Sequence, residues 1–427
     1  MAITRGINVK ALLLILSLAL LSFGSEAAFR GRSGRRVARP HPRPRHGIAG
    51  PPFTIFNVRR FGAKPDGRTD NAQPLMKAWI AACHWRGNAR LVIPLGRYLT
   101  GPVTFAGPCS NPTPIVVQVM GTVIASTDIS EYSSAEWVTF EHLNGLVVTG
   151  GGTFDGQGAA VWKYNDCHNH ANCQLLPTSI KFNSVTNGIV RQIKSVNSKS
   201  FHMAITNCQN FNAHHLHITA PGESPNTDGI HISSSSAVRV SRAAIGTGDD
   251  CISIGQGATN ISIYKVTCGP GHGISVGSLG KYSNEKDVRG ISVKNCTLSN
   301  TDNGVRIKTW PGSPPSQASS FYFEDIVMNN VKNPIIIDQQ YCAKSSCDSK
   351  PSRVKVSDVH YKNIRGTSAS NVAVKIMCSQ QFPCQNVQLF NINLKYNGYK
   401  QKGLSTTASC SNAKLGFGGI QNPPPCR

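Results

Sequence analysis

From Ile115 onward, short β-branched runs alternate with Gly, Asn and Asp. Gly145-Leu-Val-Val148, Gly188-Ile-Val190, Ile261-Ser-Ile263, Ile291-Ser-Val293, Phe321-Tyr-Phe323, Val354-Lys-Val356 and Val387-Gln-Leu389 recur at nearly regular intervals. This pattern predicts short strands separated by turns. Four phrases share a single frame: Asn226-Thr-Asp-Gly-Ile-His-Ile232, Gly248-Asp-Asp-Cys-Ile-Ser-Ile254, Gly271-His-Gly-Ile-Ser-Val276 and Asn303-Gly-Val-Arg-Ile-Lys308. Asp228, Asp250 and His272 fall at equal intervals, since 250 − 228 = 272 − 250. A repeat of about 22 residues with a strand-like apolar core predicts the coils of a parallel β-helix. Antiparallel sandwiches also show frequent short strands, but they do not preserve a register of turn residue plus Ile-x-Ile.

Stacked coils, about 4.8 Å apart, turn the repeat into columns. Ile230, Ile252, Ile274 and Val305 form one inward column, and Ile232, Ile254, Val276 and Ile307 another. His231, Ser253, Ser275 and Arg306 then point outward, with Lys308 on the same face. Strict alternation would bury Asp228, Asp250 and His272, where an unpaired charge is very costly. They are therefore expected at a bend before each strand, which Gly229, Gly248, Gly271 and Gly273 permit. Asp249 leaves that bend in another direction from Asp250.

The ends of the chain break the pattern. Asp70 to Trp85 carries Leu75, Trp79 and Ile80 on one stripe and predicts a helix, capped by Asp70 or Thr69. Such a helix would cover the open end of a solenoid. Past about Gly403 the repeat decays, and the tail is expected to close the far end. Residues 1–28 read as a secretory signal, with Arg5 and Lys10 ahead of the apolar Ala11–Phe23 and a small-residue cleavage site. The apolar run is too short for a transmembrane anchor, and no later segment could span a bilayer. Residues 29–52 form an Arg- and Pro-rich arm expected to be disordered, leaving 53–427 as the β-helix domain.

Export changes how the cysteines and the charge are read. Fourteen cysteines in a secreted chain read as disulfides, and spacing favours local loops at Cys167–Cys173, Cys342–Cys347, Cys378–Cys384 and Cys410–Cys426. Asn260 and Asn295 head glycosylation sequons. The formal net charge of +23 calls for an acidic partner. For an exported chain, acidic cell-wall polysaccharide fits better than nucleic acid. His202, His214, His215 and His217 invite a metal reading, but no carboxylate completes a ligand set, so they are expected to be surface histidines on adjoining coils.

The chemistry gathers in the repeat. Asp228, Asp249 and Asp250 form a patch in which mutual repulsion raises at least one carboxyl pKa. One protonated and one or two ionised carboxyls are what glycosidic hydrolysis requires. Arg306 and Lys308 beside them would pair with a carboxylate on the substrate, pointing to an acidic sugar. A lone Asp at a coil bend is more often an Asx turn, but three together are not.

Asn226-Thr-Asp228, Gly248-Asp-Asp250, Gly271-His-Gly273 and Arg306-Ile-Lys308 resemble the four signature motifs of polygalacturonases, glycoside hydrolase family 28. The similarity runs from about Phe53 to the C-terminus, and the stretches Gly269–Gly280 and Asn333–Asp338 most resemble plant exo-acting members. The resemblance implies a right-handed, single-stranded parallel β-helix of the pectin lyase-like kind. It also implies that Asp249 is the general acid, that Asp228 and Asp250 activate water for inverting attack, and that His272 supports the acid. Arg306, Lys308, Tyr341 and Asn226 would contact substrate, and Cys251 would be bridged to Cys268. The expected activity is hydrolysis of α-1,4 bonds in pectin or polygalacturonate, without metal or cofactor, by a secreted monomer in the cell wall. An endo-acting enzyme and a catalytically idle pectin-binding protein are the alternatives. A calcium-dependent pectate lyase would need an acidic calcium site, and Arg306 and Lys308 oppose one.

Overall fold

The computed structural model describes residues 52–165, 175–342, 347–397 and 405–426. The expected signal segment, most of the arginine-rich arm and the Cys167–Cys173 pair lie outside these residues. Among the described residues the strands form one sheet of twenty-one and one of eleven, and every neighbouring pair is parallel. Each complete coil up to Ser299 contributes one strand to the smaller sheet and two to the larger, and from Ser316 on the latter two merge into one long strand such as Ser316–Val331. Met203–Thr206, Gln209–His214 and His217–Thr219 make one such coil.

Register follows the repeat. Ile230 pairs with Ile252, Ile252 with Ile274, and Ile274 with Val305. All four are buried, as are Ile232, Ile254, Val276 and Ile307 two positions on. The core therefore grows lengthwise by stacking like on like: Phe140 lies 5.3 Å from Phe182, and Phe182 lies 4.8 Å from Phe211. Turn asparagines stack in the same way. Asn187 and Asn210 both adopt left-handed φ near 55°; Asn210 donates to Asn187 at 2.6 Å and Asn187 to Asn144 at 2.8 Å. Asparagine tolerates this conformation, and its side chain pairs with its neighbour along the stack.

The helix spans Ala72–Cys83 and starts later than the pattern predicts. Asn71 occupies the cap position, but its amide is drawn to Lys64, Thr69 and Leu99. Asp70 accepts from the Ala72 N–H at 3.2 Å. Leu75 and Trp79 are buried, whereas Ile80 is 50% exposed and not part of the packed stripe. The helix is tied down by Cys83–Cys109.

Two further expectations need correcting. The repeat persists past Gly403: Thr407–Ser411 extends the smaller sheet and Ala413–Asn422 the larger. These last strands expose much of their surface, so apolar pattern alone does not mark them. The cysteines are not all bridged. Cys251–Cys268, Cys342–Cys347, Cys378–Cys384 and Cys410–Cys426 form, but Cys208 and Cys296 are buried free thiols.

Candidate active site

The acids sit in the bends that lead into the smaller sheet, outside the regular strands. These bends are tight. A Cβ on Gly248 would stand 2.0 Å from the Ser224 carbonyl, and one on Gly271 would stand 2.5 Å from that of Asp249. Gly271 also has φ +134°, a conformation that favours glycine. Cys251 follows Asp250, and its bridge to Cys268 pins this bend to its own coil.

The three carboxyls meet three environments. Asp250 is buried and fully partnered: it accepts from Ser275 Oγ at 2.7 Å, Arg306 Nη2 at 2.9 Å and Lys308 Nζ at 2.8 Å. Burial opposes its ionisation, but Lys308 and Arg306 together hold its pKa below the ordinary value. Asp228 is equally enclosed and forms no ion pair among the described residues. Burial, followed by the charges of Asp249 and Asp250, raises its pKa well above the carboxylate range. Asp249 retains access to solvent at 19% side-chain exposure. Its Oδ1 lies 3.0 Å from His272 Nδ1 and accepts the Asp250 N–H at 2.8 Å. Asn226 donates to its Oδ2 at 3.3 Å. The Asp249 contact raises the His272 pKa.

One carboxyl is thus driven toward its neutral form and one toward ionisation, while the third is hydrogen-bonded to His272, whose own pKa is raised. This arrangement can move protons at a bound glycosidic oxygen. Arg306 and Lys308 stand where the sequence places them, yet both are engaged by Asp250. Arg306 uses Nε on Ser275 and Nη2 on Asp250, and its Nη1 makes no hydrogen bond among the described residues. Tyr341 covers the pair, its ring centroid 5.2 Å from Lys308 Nζ and 5.9 Å from the Arg306 guanidinium.

Ser275, Ser253, His231 and Asp302 also belong to this site. The repeat places the first three on the outward face, but not their bonds. Ser275 links Asp250 to Arg306, and His231 Nδ1 lies 2.8 Å from Ser253 Oγ. Asp302 Oδ2 lies 3.7 Å from His272 Nε2. Asp249, Asp250 and His272 bring potential metal-ligand atoms within 4.8 Å of one another. Two fixed cations on the Asp250 oxygens make that a poor cation site.

The histidine expectation holds only in part. His215 and His217 are exposed and His214 is half-buried, but His202 is wholly buried, its Nδ1 2.9 Å from Ser195 Oγ. It lies immediately before the strand Met203–Thr206, turned into the coil rather than out of it.

The chain is similar to known proteins in both sequence and fold. The chain is 48% identical to an exopolygalacturonase of Platanus acerifolia over 371 residues, covering 87% of this chain and 97% of that protein. It is 47% identical to a polygalacturonase of Gossypium hirsutum over 370 residues, covering 86% and 89%. Its fold resembles a hyperthermoactive exopolygalacturonase from Thermotoga maritima, with TM-score 0.69, 21% identity and coverage of 86% and 91%. It also resembles an endo-xylogalacturonan hydrolase from Aspergillus tubingensis, with TM-score 0.72, 20% identity and coverage of 86% and 100%. At those identities the structures speak for the right-handed β-helix alone. Residues 83–419 match the pattern of Glycosyl hydrolases family 28, and the chain belongs to that family.

Proposed function

We propose that this chain hydrolyses the α-1,4 bonds of polygalacturonate, releasing galacturonate from the non-reducing end of pectin in the cell wall. The observation that carries the reading is the meeting of Asp228, Asp249 and Asp250 at one bend cluster in three different environments: Asp228 enclosed, Asp250 held by Lys308 and Arg306, and Asp249 open to solvent against His272. Asp249, the most accessible of the three, protonates the leaving oxygen, and His272 beside it supplies the proton for the next cycle. Asp228 helps to orient the attacking water. Asp250, held ionised, takes the water's proton on Oδ2, which only Lys308 otherwise occupies, as the new bond to the anomeric carbon forms and the bond to the leaving oxygen breaks. The Arg306 donors that Asp250 leaves free, with Lys308 and Tyr341 alongside, receive a uronate carboxylate. Inversion is part of the proposal. The Asp249 and Asp250 ligand atoms lie within 4.8 Å, closer than the ~6.5–9.5 Å of two carboxyls flanking a water.

Export follows from the amino-terminal pattern, and the chain works as a monomer without a metal. Asn260 and Asn295 are both exposed and so open to glycan transfer. Exo action is favoured by similarity to several plant exopolygalacturonases. Product sizing on polygalacturonate tests it: monomer alone supports exo cleavage, and an early ladder of oligomers refutes it.

One observation favours a second reading of the acid. Asp228 is the carboxyl most strongly driven to hold a proton. The two assignments separate on an aryl galacturonide, whose leaving group needs no protonation. Asp249→Asn is expected to lose about 10²–10⁴-fold in kcat on polygalacturonate and to recover on the aryl substrate. Recovery by Asp228→Asn instead would move the acid to that residue.

A further inference from the structure

Apart from Arg306 and Lys308, which Asp250 engages, a concentration of positive charge lies on the larger sheet, away from the strands that follow the acids. A basin of about 640 Å³ is lined by Arg90, Gln118, Thr149, Arg191, Gln192 and Phe53. None of these residues belongs to the eleven-stranded sheet. Arg90 rests on the Phe53 ring at 4.5 Å and donates to Gln118 at 3.3 Å, but its Nε is buried without a partner. Arg191 is exposed and has no acidic partner among the described residues.

From Arg191 the charge continues along the corner between the second and third strands of each coil. Lys194, His215, His217, Arg242 and Lys265 are exposed there. No Asp or Glu occurs in the strands or turns of this side from Thr186 to Val196, Gln209 to Thr219, Ser236 to Gly246 or Thr259 to Cys268. His214, within the run, is held below its ordinary pKa by burial and then by His215, Arg191 and Arg242. Further along the same corner the protein does neutralise its cations: Lys294 and Lys362 both pair with Glu324, at 2.7 and 3.1 Å. The open charge is therefore confined to four successive coils and the basin beside them.

We propose that this basin and ridge form a second, non-catalytic binding site for a polyuronate chain. Coils recur at about 4.8 Å, close to the rise of one sugar in an extended chain, so Arg191 and Lys194, then Arg242 and Lys265, stand in step with the carboxylates of such a chain, with His215 and His217 as hydrogen-bonding groups on the coil between. Guanidinium groups suit carboxylates geometrically. Gln118, Gln192 and Thr149 offer partners for hydroxyls, and the ridge lacks the row of aromatic faces on which nucleic-acid bases would stack. Holding one stretch of polymer here raises the effective concentration of chain ends at the catalytic bend. The identity of the ligand rests on the substrate class proposed above; the existence of the site does not.

The test uses Arg191→Gln/Arg242→Gln/Lys265→Gln in the full chain, with unchanged thermal unfolding as the control for folding. Retention on immobilised polygalacturonate is expected to fall roughly ten-fold or more, while turnover of trigalacturonate stays at the parental rate. Equal retention of parent and variant would overturn the site. Parental binding to dextran sulfate or single-stranded DNA, neither of which carries uronate, as tight as to polygalacturonate at the same ionic strength would overturn the uronate assignment. If the parent fails to cleave trigalacturonate, the catalytic proposal falls, and the retention comparison still decides this one.

Discussion

Asp250 shows how one side chain can be both buried and charged. Its two oxygens take a hydroxyl, a guanidinium and an ammonium, so the charge removed from water finds three donors. A buried pair of this kind contributes little net stability, but breaking one partner leaves an uncompensated charge. Lys308→Met keeps most of the volume and removes the ammonium. It is expected to lower unfolding stability by about 3 kcal/mol in urea titration, and adding Asp250→Asn should recover part of that loss. A single variant as stable as the parent, or a double variant with no recovery, would show that the pair is not coupled. The two cations also serve differently from the sequence expectation. Their first partner is the enzyme's own aspartate, and only the remaining donors can meet substrate.

At the scale of the element, the bend matters more than the strand it feeds. His272 donates its N–H to the Asp249 carbonyl at 2.8 Å, so the chain before one strand is stitched to the chain before its neighbour. Gly271 lies inside that stitch. Gly271→Ala places a Cβ 2.5 Å from the Asp249 carbonyl at φ +134°. It is expected to destabilise the fold by about 1–3 kcal/mol and to reduce kcat more than ten-fold by shifting Asp249. Gly222→Ala is the matched control, because its nearest neighbours stand at 3.7 Å and its φ is ordinary. A Gly271→Ala enzyme with parental kcat would separate the bend from catalysis.

Across the whole molecule, stacking sets what the interior tolerates. His202 is fully buried, and burial brings its pKa down to about 3; His231 is likewise lowered, to about 4, by burial first. Both stay neutral in the folded chain where the unfolded chain would protonate them near pH 6.5. A depressed folded pKa gives stability that is present above the unfolded value and lost as pH falls. The His202 contribution should therefore decline from pH 6.5 toward about 3. His272, with a raised pKa, acts in the opposite sense. Between pH 7 and 4.5 the His202 share is roughly 2–3 kcal/mol. Urea midpoints of His202→Gln should be correspondingly flatter over that range, and an unchanged slope would mean the imidazole is not held neutral.

The repeat, the inward columns and the four motifs were legible in the sequence because a parallel β-helix stacks like on like. Equal spacing in the chain then becomes alignment in space, and Asp228, Asp249, Asp250, His272, Arg306 and Lys308 could be placed on neighbouring coils. Boundaries were less legible: Ile80 follows the helical period but faces solvent, and the last coil stays paired, through shifts in register, without an apolar signal. What the pattern could not carry was the pairing of side chains across coils. Ser275 bridging Asp250 to Arg306, the difference in protonation between Asp228 and Asp250, and the inward turn of His202 all depend on ångström distances and solvent access. Those exist only once the chain has closed on itself, so the address of the site was written in the sequence and its electrostatics were decided by the tertiary structure.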